Sequence, residues 1–275
     1  MSLPADIKLL LSDVDGTLVT KDKVLTQASK TAAQALRDAG IALALTSSRP
    51  PFGMRMLVEP LSLTTPLAGF NGGVFADPRT LSIVESHPVD PGAAAEVTAF
   101  LIARDFDVWV YTEDEWFVID PKGAHVEREA FILQLPPKVV SCFDAALTDR
   151  AFKVVGVSDD QIRLAEAQTG AQTLLGDKAS AARSSGHFLD VTHPRANKGR
   201  VVETLARQLG LRPGQIATIG DGDNDTLMFA KSGFSIAMGN ADDDVKAKAD
   251  VVTDDTEHDG WATAVQRFLL QSDAA

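Results

Sequence analysis

The feature that most constrains this chain is a short apolar run, Ile7-Lys8-Leu9-Leu10-Leu11-Ser12, which empties directly into Asp13-Val14-Asp15-Gly16-Thr17. So short and apolar a run suits a strand covered on both faces, as in a parallel sheet. The carboxylates at its exit then belong at the rim of that sheet. A helical pattern follows, with Thr26 as N-cap, Gly40 just past the end, and Ala28, Ala32, Leu36 and Ala39 on one face. Residues 41–45 read as the next strand and end in polar Thr46-Ser47-Ser48-Arg49. Strand, helix, strand with polar residues at each exit is the βαβ grammar of a parallel α/β sheet.

That grammar resumes near the C-terminus. Val201, Val202, Leu205 and Leu209 form a helical face closed by Gly210, and residues 215–219 read as a strand emptying into Gly220-Asp221-Gly222-Asp223-Asn224-Asp225. A helix over 226–231, a strand over 234–237 and a last helix over 258–270 complete the layer. Between the halves the pattern changes. Residues 107–112 and 115–120 are β-rich and separated by Glu113-Asp114, a hairpin signal that implies antiparallel pairing. Helical stretches near 93–104, 124–133 and 160–169 surround another strand at 152–157. The expectation is a Rossmann-like, doubly wound parallel core made of 1–89 and 188–275, with an α+β domain of 90–187 inserted into it. A length of 275 residues accommodates one to two domains.

Composition removes several classes of function. Lys and Arg number 26 against 38 Asp and Glu, a formal net charge of −12, which argues against a nucleic-acid binder. A single cysteine, Cys142, excludes an intrachain disulfide and a Cys-rich zinc site, and it reads as structural. No apolar run approaches the ~18 residues of a membrane span. No secretory signal is evident, so the expected setting is the cytoplasm.

Ligands of open α/β sheets bind beyond the carboxyl ends of the strands. Three such ends carry Asp13 and Asp15, Ser47, and Asp221 and Asp225, and a parallel sheet brings them together. Clustered carboxylates repel one another unless a cation intervenes, and an all-oxygen donor set suits Mg²⁺. A carboxylate is a competent nucleophile toward phosphorus, and a lysine and a hydroxyl are what the transferring group needs around it. Lys198 supplies the lysine, at a helix N-terminus where the dipole disfavours a cation.

In order, Asp13-Val14-Asp15-Gly16-Thr17-Leu18, Ser47, Lys198 and Gly220-Asp221-Gly222-Asp223-Asn224-Asp225 resemble the four motifs of the haloacid dehalogenase superfamily. The chain is most similar to its Cof-type, class IIB phosphatases, whose large C2-type cap lies between the second and third motifs. Asn71-Gly72-Gly73, Ala237-Met238-Gly239-Asn240-Ala241 and Asp254-Asp255-Thr256-Glu257-His258-Asp259-Gly260 resemble further segments of that subfamily. The resemblance implies Asp13 as nucleophile and metal ligand, and Asp15 as general acid and base with its carbonyl on the metal. It further implies Ser47 and Lys198 on the phosphoryl group, Asp221 as metal ligand, and Asn224 and Asp225 orienting the metal shell or the lysine. Asn71 is either a substrate contact or the occupant of a left-handed turn. Ser48 stands where the family more often has glycine, which questions the backbone freedom of that turn.

The implied activity is Mg²⁺-dependent hydrolysis of a small phosphorylated metabolite, such as a sugar phosphate, through an aspartyl-phosphate. A phosphomutase of the same superfamily and a non-enzymatic phospho-acceptor are the alternatives. The five histidines show no ligand spacing. Trp109, Tyr111, Trp116 and Phe117 read as packing of the inserted sheet, and Lys122, Arg128 and Lys153 as solvated charges.

Overall fold

The computed structural model describes residues 6–184 and 186–270. Leu9, Leu10 and Leu11 are wholly buried because the strand Leu9–Ser12 has a parallel neighbour on each side and helices over both faces. Alternate side chains enter opposite layers. Leu10 packs with Ala32 and Leu36 of the helix Gln27–Asp38 and with Trp261 of Gly260–Ala264. Leu9 and Leu11 pack with Val201, Val202 and Leu205 of the helix Lys198–Leu209. The sheet has five parallel strands in the order Val251–Val252, Phe234–Ala237, Ile216–Gly220, Leu9–Ser12, Ala42–Leu45. The doubly wound parallel core is as expected.

Helix boundaries follow local chemistry. Thr26 caps Gln27–Asp38 by accepting from the Ser29 N–H, and Gly40 takes φ +74° after its end. Of the expected apolar stripe Ala32 and Leu36 are buried, whereas Ala39 is exposed and Ser29 and Ala33 take inner positions. The helix expected near 160–169 runs on as Gln161–Leu175. Gly170 lies within it, where a Cβ would lie 2.7 Å from the Phe100 ring.

The expected hairpin is present. Asp107–Tyr111 pairs antiparallel with Trp116–Val118 inside a six-stranded sheet ordered Ser180–Arg183, Phe188–Thr192, Lys153–Val157, Asp107–Tyr111, Trp116–Val118, Lys138–Val139. This sheet extends past the boundary expected at 187, because Phe188–Thr192 pairs along its length with Lys153–Val157. Helices Pro91–Ile102 and Gln161–Leu175 cover one face over Val108, Val110, Val154, Leu189 and Val191. The other face turns Trp109, Tyr111 and Val155 toward Phe70 and Val74, beside a three-stranded antiparallel sheet, Leu67–Gly69, Val74–Ala76 and Ile83–Ser86, absent from the sequence expectation.

Truncating the central strand tests this layering. Leu11→Ala is expected to lower unfolding free energy by about 3 kcal/mol in urea titrations, and exposed Ile162→Ala by less than about 0.5 kcal/mol.

Candidate active site

Strand pairing places the chemistry. Ser12 lies opposite Ile219 on the neighbouring parallel strand, and the Asp13 N–H continues the ladder to the Ile219 carbonyl at 3.0 Å. On the other side the Thr46 N–H reaches the Ser12 carbonyl at 2.9 Å. Asp13, Ser47 and Asp221 therefore leave one edge of the sheet, around the point where strand order reverses. Lys198 reaches them from the first residue of its helix, whose cap Asn197 accepts from the Arg200 N–H at 3.1 Å.

Lys198 Nζ donates to Asp13 Oδ1 and to Asp225 Oδ1, each at 2.6 Å, and all three side chains are buried. The other Asp225 oxygen accepts from the N–H groups of Asp221 at 3.0 Å and Gly222 at 2.8 Å. Asp225 thus fixes both the lysine and the loop carrying Asp221. Thr17 donates to Asp221 Oδ1 at 2.8 Å, and Asn240 to its Oδ2 at 3.3 Å. Carboxylate oxygens of Asp13, Asp221 and Asp225 lie within 4.8 Å of one another.

The charges are under strain. Burial pushes the Asp13 carboxyl well above the usual range, aided by the charges of Asp225 and Asp221 and opposed by Lys198. Asp221 is pushed up to about 6, first by burial and then by Asp225. The two aspartates hold the Lys198 ammonium protonated despite its burial. An all-oxygen set whose carboxyls resist ionising together fits Mg²⁺. Gly16 makes room for it to assemble: at φ +80°, a Cβ there would sit 2.2 Å from Asp221 Oδ2.

Asp15 faces the opposite way, into a cavity of about 460 Å³ between the parallel core and the six-stranded sheet. Burial raises its pKa, but Arg49, at 2.5 and 2.7 Å, and Lys23, at 2.7 Å, outweigh this and hold it at about 2. Ser47 is buried, and its Oγ accepts from the Arg49 N–H at 3.1 Å. Asn71 occupies a left-handed turn at φ 56°, with its N–H on the Ser47 carbonyl. Its side chain meets Asn224 at 3.3 Å. Ser48 is not among the residues with positive φ, so this turn makes no demand for glycine.

Several participants escaped sequence reading. Lys153, expected to be solvated, is 6% exposed and donates to the Ser48 carbonyl at 3.3 Å. Arg128 lines the same cavity, while Lys122 lines a different one. Trp109 and Tyr111 pack as expected and also line the cavity, where Tyr111 donates to Glu129 at 2.8 Å. The histidines are less scattered than their spacing implies: His125 and His187 both meet Asp159 Oδ1, at 2.7 and 3.0 Å. Neighbours brought together from separate loops leave no periodic signal. Arg49 had one, since it stands in the polar exit after the second strand.

A family model for haloacid dehalogenase-like hydrolases matches residues 10–265, and the chain belongs to that family. It is an enzyme, a phosphoric monoester hydrolase of the haloacid dehalogenase type. Among its relatives is the 5-amino-6-(5-phospho-D-ribitylamino)uracil phosphatase YwtE of Bacillus subtilis, 26% identical over 96% of this chain and 98% of that protein. The pyridoxal phosphate phosphatase YbhA of Escherichia coli is also 26% identical, over 96% and 99%. A haloacid dehalogenase-like hydrolase from Bacteroides thetaiotaomicron superposes with a TM-score of 0.86 at 26% identity, covering 95% of this chain and 99% of that one. No described helix is long and apolar enough to cross a membrane.

The raised Asp221 carboxyl has a thermodynamic sign. Its ionisation costs the metal-free fold nothing below the unfolded value of 3.8, increasingly more as pH rises toward about 6, and a constant amount above that. A divalent cation relieves this cost and must displace the proton to bind. Mg²⁺ is therefore expected to raise the melting temperature more at about pH 7.5 than at about pH 5, with Asp221→Asn losing the increment. Differential scanning fluorimetry with Mg²⁺ against EDTA checks it.

Proposed function

We propose that the protein is a Mg²⁺-dependent phosphatase of a small phosphorylated metabolite, acting through an aspartyl-phosphate on Asp13. The observation that carries this reading is Asp13 held at 2.6 Å by Lys198 beside Asp221, two residues before Asp15, which lines a substrate-sized cavity. Asp13, Asp221 and the Asp15 backbone carbonyl would hold the metal, with Asp225 and Asn224 behind them. Bound there, Mg²⁺ would neutralise charge on the phosphoryl group and keep the aspartates ionised.

Asp13 attacks phosphorus, and the bond from phosphorus to the leaving oxygen breaks. Lys198 and the Ser47 hydroxyl stabilise charge on the transferring oxygens. Asp15 protonates the departing alkoxide, then takes a proton from the water that hydrolyses the acyl phosphate. The pairing with Arg49 and Lys23 favours its carboxylate form. An incoming phosphate dianion competes for those two cations and thereby raises Asp15 toward the acid the first step needs. The six-stranded unit acts as a cap that excludes bulk water from the intermediate. A cytoplasmic setting accords with a lone, exposed thiol at Cys142.

Phosphate release from a panel of small phosphoesters tests this. Asp13→Asn and EDTA are each expected to lower kcat by at least about 1000-fold. Turnover indifferent to both would overturn the mechanism, and isomerised product without free phosphate would indicate a mutase.

A further inference from the structure

The six-stranded sheet presents a polar constellation to the cavity that the phosphoryl chemistry leaves unused. Trp109 lies opposite Val155, which lies opposite Asp190, and Tyr111 lies opposite Lys153. Residues opposed across antiparallel strands share a face, so these side chains all look into the cavity that Asp15 enters from the core.

Asp190 is 7% exposed there. Its Oδ2 accepts from Lys153 Nζ at 3.4 Å, while among the described residues its buried Oδ1 has no hydrogen-bond partner. An acceptor left without a donor in such a place costs the fold free energy and is uncommon without a reason. Lys153 is fixed by the Ser48 carbonyl and by Asp190, and lies 4.7 Å from the centre of the Tyr111 ring. An ammonium carries three N–H donors, so one remains for a ligand. The pair therefore offers one acceptor and one donor side by side.

We propose that Lys153 and Asp190 form the specificity-determining pair for the leaving group, and that they select a polyol carrying adjacent hydroxyls. The inference rests on the phosphatase reading above and names the substrate class of that site. One hydroxyl donates to Asp190 Oδ1, and its neighbour accepts from Lys153. Glu129, held by the Tyr111 hydroxyl, adds a second acceptor on the same wall. A carbonyl in that place would accept from Lys153 and leave Asp190 unanswered. A carboxylate would face both Asp190 and Glu129, and an alkyl chain would bury every one of these groups unpaired. Sites built to hydrogen-bond a hydroxyl discriminate strongly against analogues that lack it, for the same reason.

Ribitol 5-phosphate and n-pentyl phosphate share a five-carbon chain and differ in hydroxyls. The wild-type enzyme is expected to prefer the polyol ester by at least about 100-fold in kcat/KM. Asp190→Leu is expected to lower that ratio by at least about 30-fold, and Asp190→Asn to restore part of it. The ratio is the readout, because a merely structural loss lowers both terms alike. A wild-type ratio near one, or a ratio unmoved by Asp190→Leu, overturns the inference while Asp13-dependent hydrolysis keeps the phosphatase reading intact. Release of phosphate that survives Asp13→Asn overturns that reading and the inference with it.

Discussion

The site depends on one buried ammonium. Lys198 joins Asp13 on the central strand to Asp225 on the loop after its neighbour, and both contacts are 2.6 Å long. Burying three charges is costly, and the geometry offsets part of the cost because the second Asp225 oxygen is also satisfied, by two backbone N–H groups. Removing the lysine would leave two carboxylates facing each other without a counter-charge. The helix that carries Lys198 has little reason of its own to start with a cation, so the position answers to the sheet edge and not to the helix.

The core and the six-stranded unit meet through backbone carbonyls as well as apolar contacts. Arg49 holds Asp15 with one part of its guanidinium and donates through Nη1 to Gly53 and, across the boundary, to Ile132, at 3.1 and 3.2 Å. Lys153 crosses the other way to Ser48. The serine that departs from the family pattern thus accepts a bond through its backbone, which any residue could supply. Both crossing cations touch the cavity, so contents that compete for them also bear on how tightly the two units close.

The core was legible because its chemistry stands at strand exits, and strand exits show in a sequence as apolar runs that stop at carboxylates. Asp13, Ser47, Lys198 and Asp221 lie where those exits and one helix start put them. The other wall of the cavity was illegible for a physical reason. Lys153, Asp190 and Tyr111 come from three strands whose pairing is antiparallel and non-local, and a one-residue slip in register would send each to the opposite face. In the sequence, Lys153 is one lysine before an apolar run and Asp190 one carboxylate inside another. The boundary expected at 187 fell short for the same reason, since Phe188–Thr192 reveals its sheet only through its partners.

Charge is distributed unevenly about Asp13. On the metal side, three carboxylates and Lys198 sum formally to two negative charges, the complement of one divalent cation. On the cavity side, Arg49 and Lys23 against Asp15 leave one positive charge. Asp13, the proposed nucleophile, lies between a place that attracts a cation and a place that attracts an anion. On the proposed mechanism a phosphate ester entering from the cavity would meet the positive side first and direct its phosphorus toward Asp13, with its leaving group against the wall carrying Lys153 and Asp190. An acidic chain can therefore draw in a dianion, because the local field in a low-dielectric cleft, and not the net charge, decides what enters.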